Sequence, residues 1–392
     1  IYAYHYKMEI TITSMDGPLD IENDLISFTD FKTGLQFRGK LVPNRIQLGI
    51  YLGKNLLTEV TLKKSTTDWD IGGFQNENKA SILQLAKMES LISKDSLPNT
   101  HSVLISKKGK VVYENYFDGY NASIPHDMRS ASKSISSAIV GIASDKSLFI
   151  NVDQSIFDFL PNEYQMLKDS LKSKIVIHSL LTMSSGLDAD DYTRERKSSA
   201  SENNYQPTRD WTETILKANM INEPNTEANY GSANPFLLGV VMDSVVSEPL
   251  EIFMDKYLFQ KLEITNYIIQ TDLKGRPYFG GGMYLTPKDM LKFGELYLNK
   301  GKWNSERVLS KKWVENSIKH YRNLENVPDK NGYGYLWWHN TYQVNGKSIK
   351  SIEARGAGGQ YIFVIPSLKA VVVITSGNYR NGKTQQPEKI FE

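Results

Sequence analysis

Ser130 and Lys133 stand three residues apart in RSASKSISSAIVG, residues 129–141, and no other serine in the 392-residue chain precedes a lysine by that spacing. On a helix, positions i and i+3 share a face one turn apart, so the hydroxyl and the amine come within hydrogen-bond reach. A free serine hydroxyl is a weak nucleophile and needs a base. Lysine can be that base only when neutral, and burial disfavours the charged form of a group that ordinarily titrates near ~10.4. The run offers burial: Ile135, Ala138, Ile139 and Ile142 form an apolar stripe, and Val140 and Gly141 leave the opposite face enclosed as well. Ser132, Ser134, Ser136 and Ser137 read as small packing residues and as caps near the helix start. Ser-x-x-Lys alone is a common spacing, and a serine at a helix start is more often a cap than a nucleophile, so the reading depends on what lies downstream.

Downstream comes ANYGSANPFLLG, residues 228–239, in which Tyr230 precedes Gly231, Ser232 and an apolar helix. A phenol beside a buried lysine can shuttle a proton, its ordinary pKa near ~10 being lowered by a cationic neighbour. Taken in isolation, Tyr230 is an ordinary aromatic at a helix mouth. Further on, ARGAGGQYIFVIP, residues 354–366, places Gly356, Ala357, Gly358 and Gly359 just before a strand-like run. Small residues there let the backbone approach a ligand, and a free N–H could hold an oxyanion; the plainer reading is a turn or bulge into a strand. The strand that follows and the missing Lys-Ser or Lys-Thr argue against a phosphate loop.

The elements that would position these groups follow from periodicity. Residues 1 to about 75 show strand-like alternation in KMEITITS, GLQFRGKLV, RIQLGIYL and LTEVTLKKS, broken by Asp16-Gly17-Pro18 and Gly53-Lys54-Asn55, which predicts a small all-β module. From 76 to 392 a second domain is expected: a helix over SILQLAKMESLIS, two strands SVLIS and KVVYENYF, a helical subdomain at about 150–260, and closing strands QYIFVIP and AVVVITSG. Sheet at both ends with helices between predicts one antiparallel sheet flanked by helices, an α+β fold of α/β-α sandwich type. The polar stretch DADDYTRERKSSASENNYQ, residues 188–206, reads as a long excursion rather than a core element. QPEKIFE reads as the start of a helix, with the chain cut or disordered beyond it.

Composition narrows the chemistry. Lysine and arginine number 46 against 44 aspartates and glutamates, a net charge of +2 that points to neither nucleic acid nor an anionic membrane as partner. There is no cysteine, which excludes disulfides, thiolate metal sites and a cysteine nucleophile and leaves the redox compartment open. No apolar run approaches the ~20 residues of a membrane span. A chain starting at Ile1 rather than Met hints at a removed leader and an exported, periplasmic setting, with a trimmed cytoplasmic protein as the alternative. The six histidines show no His-Glu-x-x-His and no zinc-holding spacing, and no Gly-x-Ser-x-Gly elbow occurs, so neither a metal nor any other cofactor is expected.

The three motifs in this order resemble the class C β-lactamase and penicillin-recognising serine hydrolases, and HSLLTMSSGLD, GGGMYLTPKDMLKFGELYLNKGKW and YGYLWW are similar to stretches of that family. The resemblance covers roughly residues 79–392 and implies the β-lactamase/transpeptidase-like fold there. Where class C enzymes carry Tyr-x-Asn and Lys-Thr-Gly, this chain has Tyr230-Gly231-Ser232 and Ala354-Arg355-Gly356; the literal Lys32-Thr33-Gly34 precedes the nucleophile and is a decoy. Tyr-x-Ser with Gly-x-Gly-Gly-Gln looks more like the 6-aminohexanoate-dimer hydrolase branch, which acts on short linear amides and also esters. The resemblance implies Ser130 as acylated nucleophile, Lys133 as its base partner, Tyr230 as proton shuttle, and the N–H groups of Ser130 and Ala357 as oxyanion hole. It makes Ser232, Arg355, Gly356, Gly358, Tyr192 and Tyr205 substrate-binding candidates; Arg355 would engage a substrate carboxylate or else point to solvent.

The implied activity is that of a serine amidase or esterase acting on a small molecule. A D-amino-acid-specific peptidase or a weak β-lactamase is the alternative within the family. A silent binding or sensing protein, with the β module docking an unknown partner, is the alternative outside it.

Overall fold

The computed structural model describes residues 19–29, 35–43, 45–63, 79–193, 197–379 and 381–392. KMEITITS, Asp16-Gly17-Pro18 and Lys32-Thr33-Gly34 lie outside the described residues. The chain divides into two compact units, residues 1–72 and 73–392.

Among the described residues of the first unit, five strands form an antiparallel meander in sequence order: Leu19–Glu22, Leu25–Thr29, Leu35–Val42, Arg45–Leu52 and Asn55–Lys63. Phe37 stands opposite Ile50 across the two middle strands, and both are buried.

In the second unit an eight-stranded antiparallel sheet runs, edge to edge, through Arg322–Asn323, Gly332–Tyr333, Trp338–Val344, Lys347–Gly356, Gln360–Ile365, Ala370–Ser376, Thr100–Lys107 and Lys110–Tyr116. Early and late strands meet in its interior, Val373 opposite Leu104. One face packs Tyr361, Phe363 and Ile374 against Leu85, Met88 and Ile92 of the helix Lys79–Ser93 and against Ile390 and Phe391 of the helix Gln386–Phe391. The other face carries the helix Pro287–Leu298, begun by Thr286, whose side chain accepts from Asp289 N, and by proline at its first position. Gly294 brings that helix onto the sheet: a Cβ there would stand 2.4 Å from Val371.

Two helices give the site its frame. Lys133–Asp145 is enclosed, residues 133 to 143 all being buried, and Gly141 makes room for the Trp313 ring, which a Cβ would meet at 2.4 Å. Ala233–Val245 is apolar on all sides from Phe236 to Met242 and correspondingly central. The region expected to be broadly helical is otherwise a set of short pieces, among them Ile177–Leu181, Glu202–Tyr205 and Trp211–Lys217. The serines beside Lys133 do not cap. Ser132, Ser134 and Ser136 donate to carbonyls of Arg129 (2.7 Å), Leu336 (2.7 Å) and Phe279 (3.2 Å), tying the helix to its neighbours.

Candidate active site

Ser130 lies in the 3-10 turn Arg129–Ser132 that runs directly into the Lys133 helix. The turn is entered through Arg129 at φ 49°, a left-handed conformation unusual for a residue with a side chain, held by Asp127, which accepts from both Arg129 N and Arg129 Nε at 2.9 Å. Lys133 Nζ donates to Ser130 Oγ at 2.8 Å, to Ser232 Oγ at 3.1 Å and to the Gly280 carbonyl. Three acceptors match the three N–H bonds of an ammonium; loss of one proton frees the amine to accept from Ser130. Burial lowers the Lys133 pKa, opposed by the negative charges of Glu202 and Asp191.

Tyr230 is buried, and the Ser130 side chain is near enough to its phenol to act on its titration. The Lys133 ammonium stands 5.2 Å from the centre of its ring. The expectation that a cation lowers the Tyr230 pKa is not met: burial dominates and raises it, Asp191 and Glu202 add to the rise, and the Ser130 side chain and the charge of Arg355 only oppose it. The ring is walled by Trp338 at 5.0 Å and edge-on by Tyr192 at 6.0 Å. Tyr192, 45% exposed, is thus an open side chain beside the phenol.

Gly356 ends its strand against the Ser130 turn. A Cβ there would lie 2.1 Å from Met128 O and 3.2 Å from Ala131 N, so only glycine permits the approach. Ser130 N belongs to the first turn of a helix, where N–H groups lack intrahelical acceptors, and exposed Ala357 follows directly on Gly356. Gly358 (φ 80°) and Gly359 (φ 90°) form the turn into the strand Gln360–Ile365, with Tyr379 packed where a Gly358 Cβ would be.

Two substrate candidates are otherwise engaged. Tyr205 is fully buried, stacks on Phe236, and shares a 2.6 Å hydrogen bond with Tyr278 OH, so its phenol is committed to the interior rather than presented to a substrate. Arg355 is buried, pairing through Nε with Glu353 at 2.6 Å and through NH1 with Glu388 at 3.2 Å, and its guanidinium lies over Trp338. Two carboxylates already neutralise it, and it does not point to solvent.

Among the described residues of the polar stretch 188–206, many turn inward. Asp188, Ala189, Asp190, Ser198, Ala200 and Ser201 are buried, because each inward carboxylate meets N–H or hydroxyl donors. Sequence reasoning missed three groups: Asn326, which accepts from Tyr230 N at 2.7 Å and donates to Tyr230 O at 3.1 Å; Asp191, which accepts from Ser232 N at 2.6 Å; and Gly280, whose carbonyl takes a Lys133 proton. Only the three acidic residues of DADD, unusual beside a lysine-based site, could have signalled one of them. Glu202 accepts from Tyr278 OH; burial raises its carboxyl pKa while Lys133 draws it down. Among the described residues no three His, Asp or Glu side chains converge as a metal site would require, and no helix is long and apolar enough to cross a membrane.

A helix-flanked antiparallel sheet with a Ser-x-x-Lys turn abutting its inner strand is the fold of the penicillin-binding and β-lactamase class. Residues 99–389 match the Beta-lactamase family, and the chain belongs to it. It is 23% identical over 287 residues to the 6-aminohexanoate-dimer hydrolase of Paenarthrobacter ureafaciens, covering 70% of this chain and 71% of that one. Among solved structures, EstCE1, a hydrolase with promiscuous acyltransferase activity, superposes with TM-score 0.65 at 17% identity, over 80% of this chain and 98% of that one. A D-stereospecific amidohydrolase from Streptomyces sp. does so with TM-score 0.59 at 14% identity, over 79% and 98%. The protein is a hydrolase with amidase and esterase neighbours.

Proposed function

We propose that this chain hydrolyses a small amide or ester through an acyl-enzyme on Ser130. The observation that carries the reading is the contact between one hydroxyl and a buried amine: Ser130 Oγ accepts from Lys133 Nζ at 2.8 Å, and the Tyr230 ring is centred 5.2 Å from that same amine. Lys133 and Tyr230 titrate as a pair, and the reactive form is the one with a proton fewer than ammonium plus phenol. In it, Ser130 Oγ attacks the carbonyl carbon as its proton passes to the pair. The carbonyl oxygen, now negative, is met by the N–H groups of Ser130 and Ala357. Collapse expels the amine or alcohol, which takes the proton back through Tyr230, the phenol beside exposed Tyr192. Water then repeats the sequence against the ester of Ser130. Glu353 and Glu388 leave no net positive charge at Arg355, so the substrate favoured here is neutral around the scissile bond rather than anchored by a carboxylate.

The test is a fluorophosphonate followed by peptide mass spectrometry, with a panel of a p-nitrophenyl ester, nitrocefin, D-aminoacyl amides and a linear aminohexanoate dimer. Labelling should fall on Ser130, and Ser130→Ala should lower ester turnover by about three orders of magnitude or more. The ester should be turned over fastest and nitrocefin poorly. Folded protein that stays unlabelled at Ser130 overturns the reading and favours the silent binding protein.

A further inference from the structure

The turn Tyr230-Gly231-Ser232 carries two of the groups that surround Ser130 and Lys133, and one residue grips it on both sides. Asp191 N donates to Tyr230 O at 3.1 Å, and Asp191 Oδ2 accepts from Ser232 N at 2.6 Å. Its other oxygen, Oδ1, accepts from Glu202 N at 2.7 Å, so the same carboxylate joins the turn to the segment that brings Glu202 beside the lysine. Between the gripped residues, Gly231 lies so close to Ala189 that a Cβ would stand 2.3 Å from its carbonyl oxygen, and the turn therefore has no room to slide toward the loop. Bonds from N–H groups to a carboxylate are roughly twice as strong as neutral ones, and Ser232 N opens the thirteen-residue helix Ala233–Val245, whose dipole favours a negative charge there.

Resting on the reading of Ser130, Lys133 and Tyr230 as the reacting groups, we propose that Asp191 is a positioning residue that holds the Tyr230 phenol and the Ser232 hydroxyl in register with Lys133 and Ser130. Ser232 Oγ accepts from Lys133 Nζ at 3.1 Å, so a displaced turn loosens the lysine as well as the phenol. A misplacement of about 1 Å in such a constellation costs on the order of a hundredfold in rate. The charge has its own consequence. Lys133 faces Glu202 and Asp191, while Tyr230 faces Asp191, Glu202 and Arg355, with the phenols of Tyr192 and Tyr333 against its ring. Removing the negative charge of Asp191 favours the form of the pair with one proton fewer.

The experiment is steady-state hydrolysis of a p-nitrophenyl ester by the full chain, wild type against Asp191→Ala and Asp191→Asn, across pH, with thermal melts to establish folding. Asp191→Ala should lose about a hundredfold in kcat with KM nearly unchanged, and its kcat/KM should rise at lower pH than in the wild type. Asp191→Asn retains one acceptor but no charge; it should recover about tenfold of the lost kcat and keep the shifted pH limb. If the alanine variant does not fold, the asparagine variant carries the test through that shift. A folded Asp191→Ala with kcat within about threefold of wild type and an unmoved limb overturns the proposal while leaving Ser130 chemistry standing. A wild type that hydrolyses none of the panel and resists fluorophosphonate overturns both.

Discussion

Ser130 is distinguished from its four serine neighbours by direction. Their hydroxyls face carbonyls or the helix interior, and its own faces an amine and a phenol. Tyr230→Phe keeps the ring against Trp338 but removes the proton carrier, so kcat should fall by about 10²- to 10⁴-fold with little change in melting temperature. A variant that melts like wild type and keeps full kcat would show that Lys133 alone moves the proton. Gly356 is the second sensitive position. Its substitution by alanine pushes a methyl group into Met128 O, and overpacking of this kind costs about 1–3 kcal/mol by chemical denaturation. Because the displaced atoms flank Ser130, turnover should drop by more than the stability loss alone explains. Ser130, Lys133 and Tyr230 were legible as residues because a one-turn spacing and a motif order are local facts. Asn326 and Gly280 were not: one grips Tyr230 from 96 residues away and the other meets Lys133 from 147 away, and neither leaves a pattern in the chain.

Elements show how the interior was divided. The strand Lys347–Gly356 turns Gly356 toward Ser130 and, from the adjacent residue, sends Arg355 to the side where the helix Gln386–Phe391 docks through Glu388. Arg355→Met should therefore act on stability more than on substrate binding. It leaves Glu353, fully buried, without its cation, and such a loss costs about 3–5 kcal/mol, readable in a urea midpoint. A variant of unchanged stability but sharply raised KM would instead return Arg355 to the substrate. The segment 188–206 teaches the complementary lesson. Its composition is that of a solvated loop, yet Asp190 turns inward to Tyr192 N, Thr193 N and Asn326 Nδ2. Hydropathy records a cost of burial, not the donors that offset it.

At the scale of the whole molecule, buried histidines link the fold to pH. Burial lowers the pKa of His101 to about 4 and that of His126 to about 3, from an ordinary value near 6.5. The two rings lie 5.3 Å apart, both packed on Tyr120, so protonating one opposes the other. His339 is likewise lowered to about 4. A depressed histidine pKa means that the unfolded chain binds protons first. Stability is thus fully present above about pH 6.5 and declines as pH falls toward 4. Urea midpoints should hold from pH 7.5 to about 6.5 and then decrease down to pH 4.5, and His101→Gln should flatten that decline; a midpoint indifferent to pH down to 4.5 would contradict it.

By itself the sequence determined the antiparallel sheet built from both ends of residues 79–392, the Ser130–Lys133 turn and the glycine-lined strand end, because periodicity and close-packing residues are written locally. Only the tertiary structure decided what faces each group: that Tyr205 is interior, that Arg355 is already paired, that burial outweighs the Arg355 charge in setting the Tyr230 phenol, and that Asp191 grips the turn. Those outcomes depend on the sum of charges and dipoles brought within a few ångströms by folding, and partners separated by many tens of residues acquire a common environment only when the chain has closed around them.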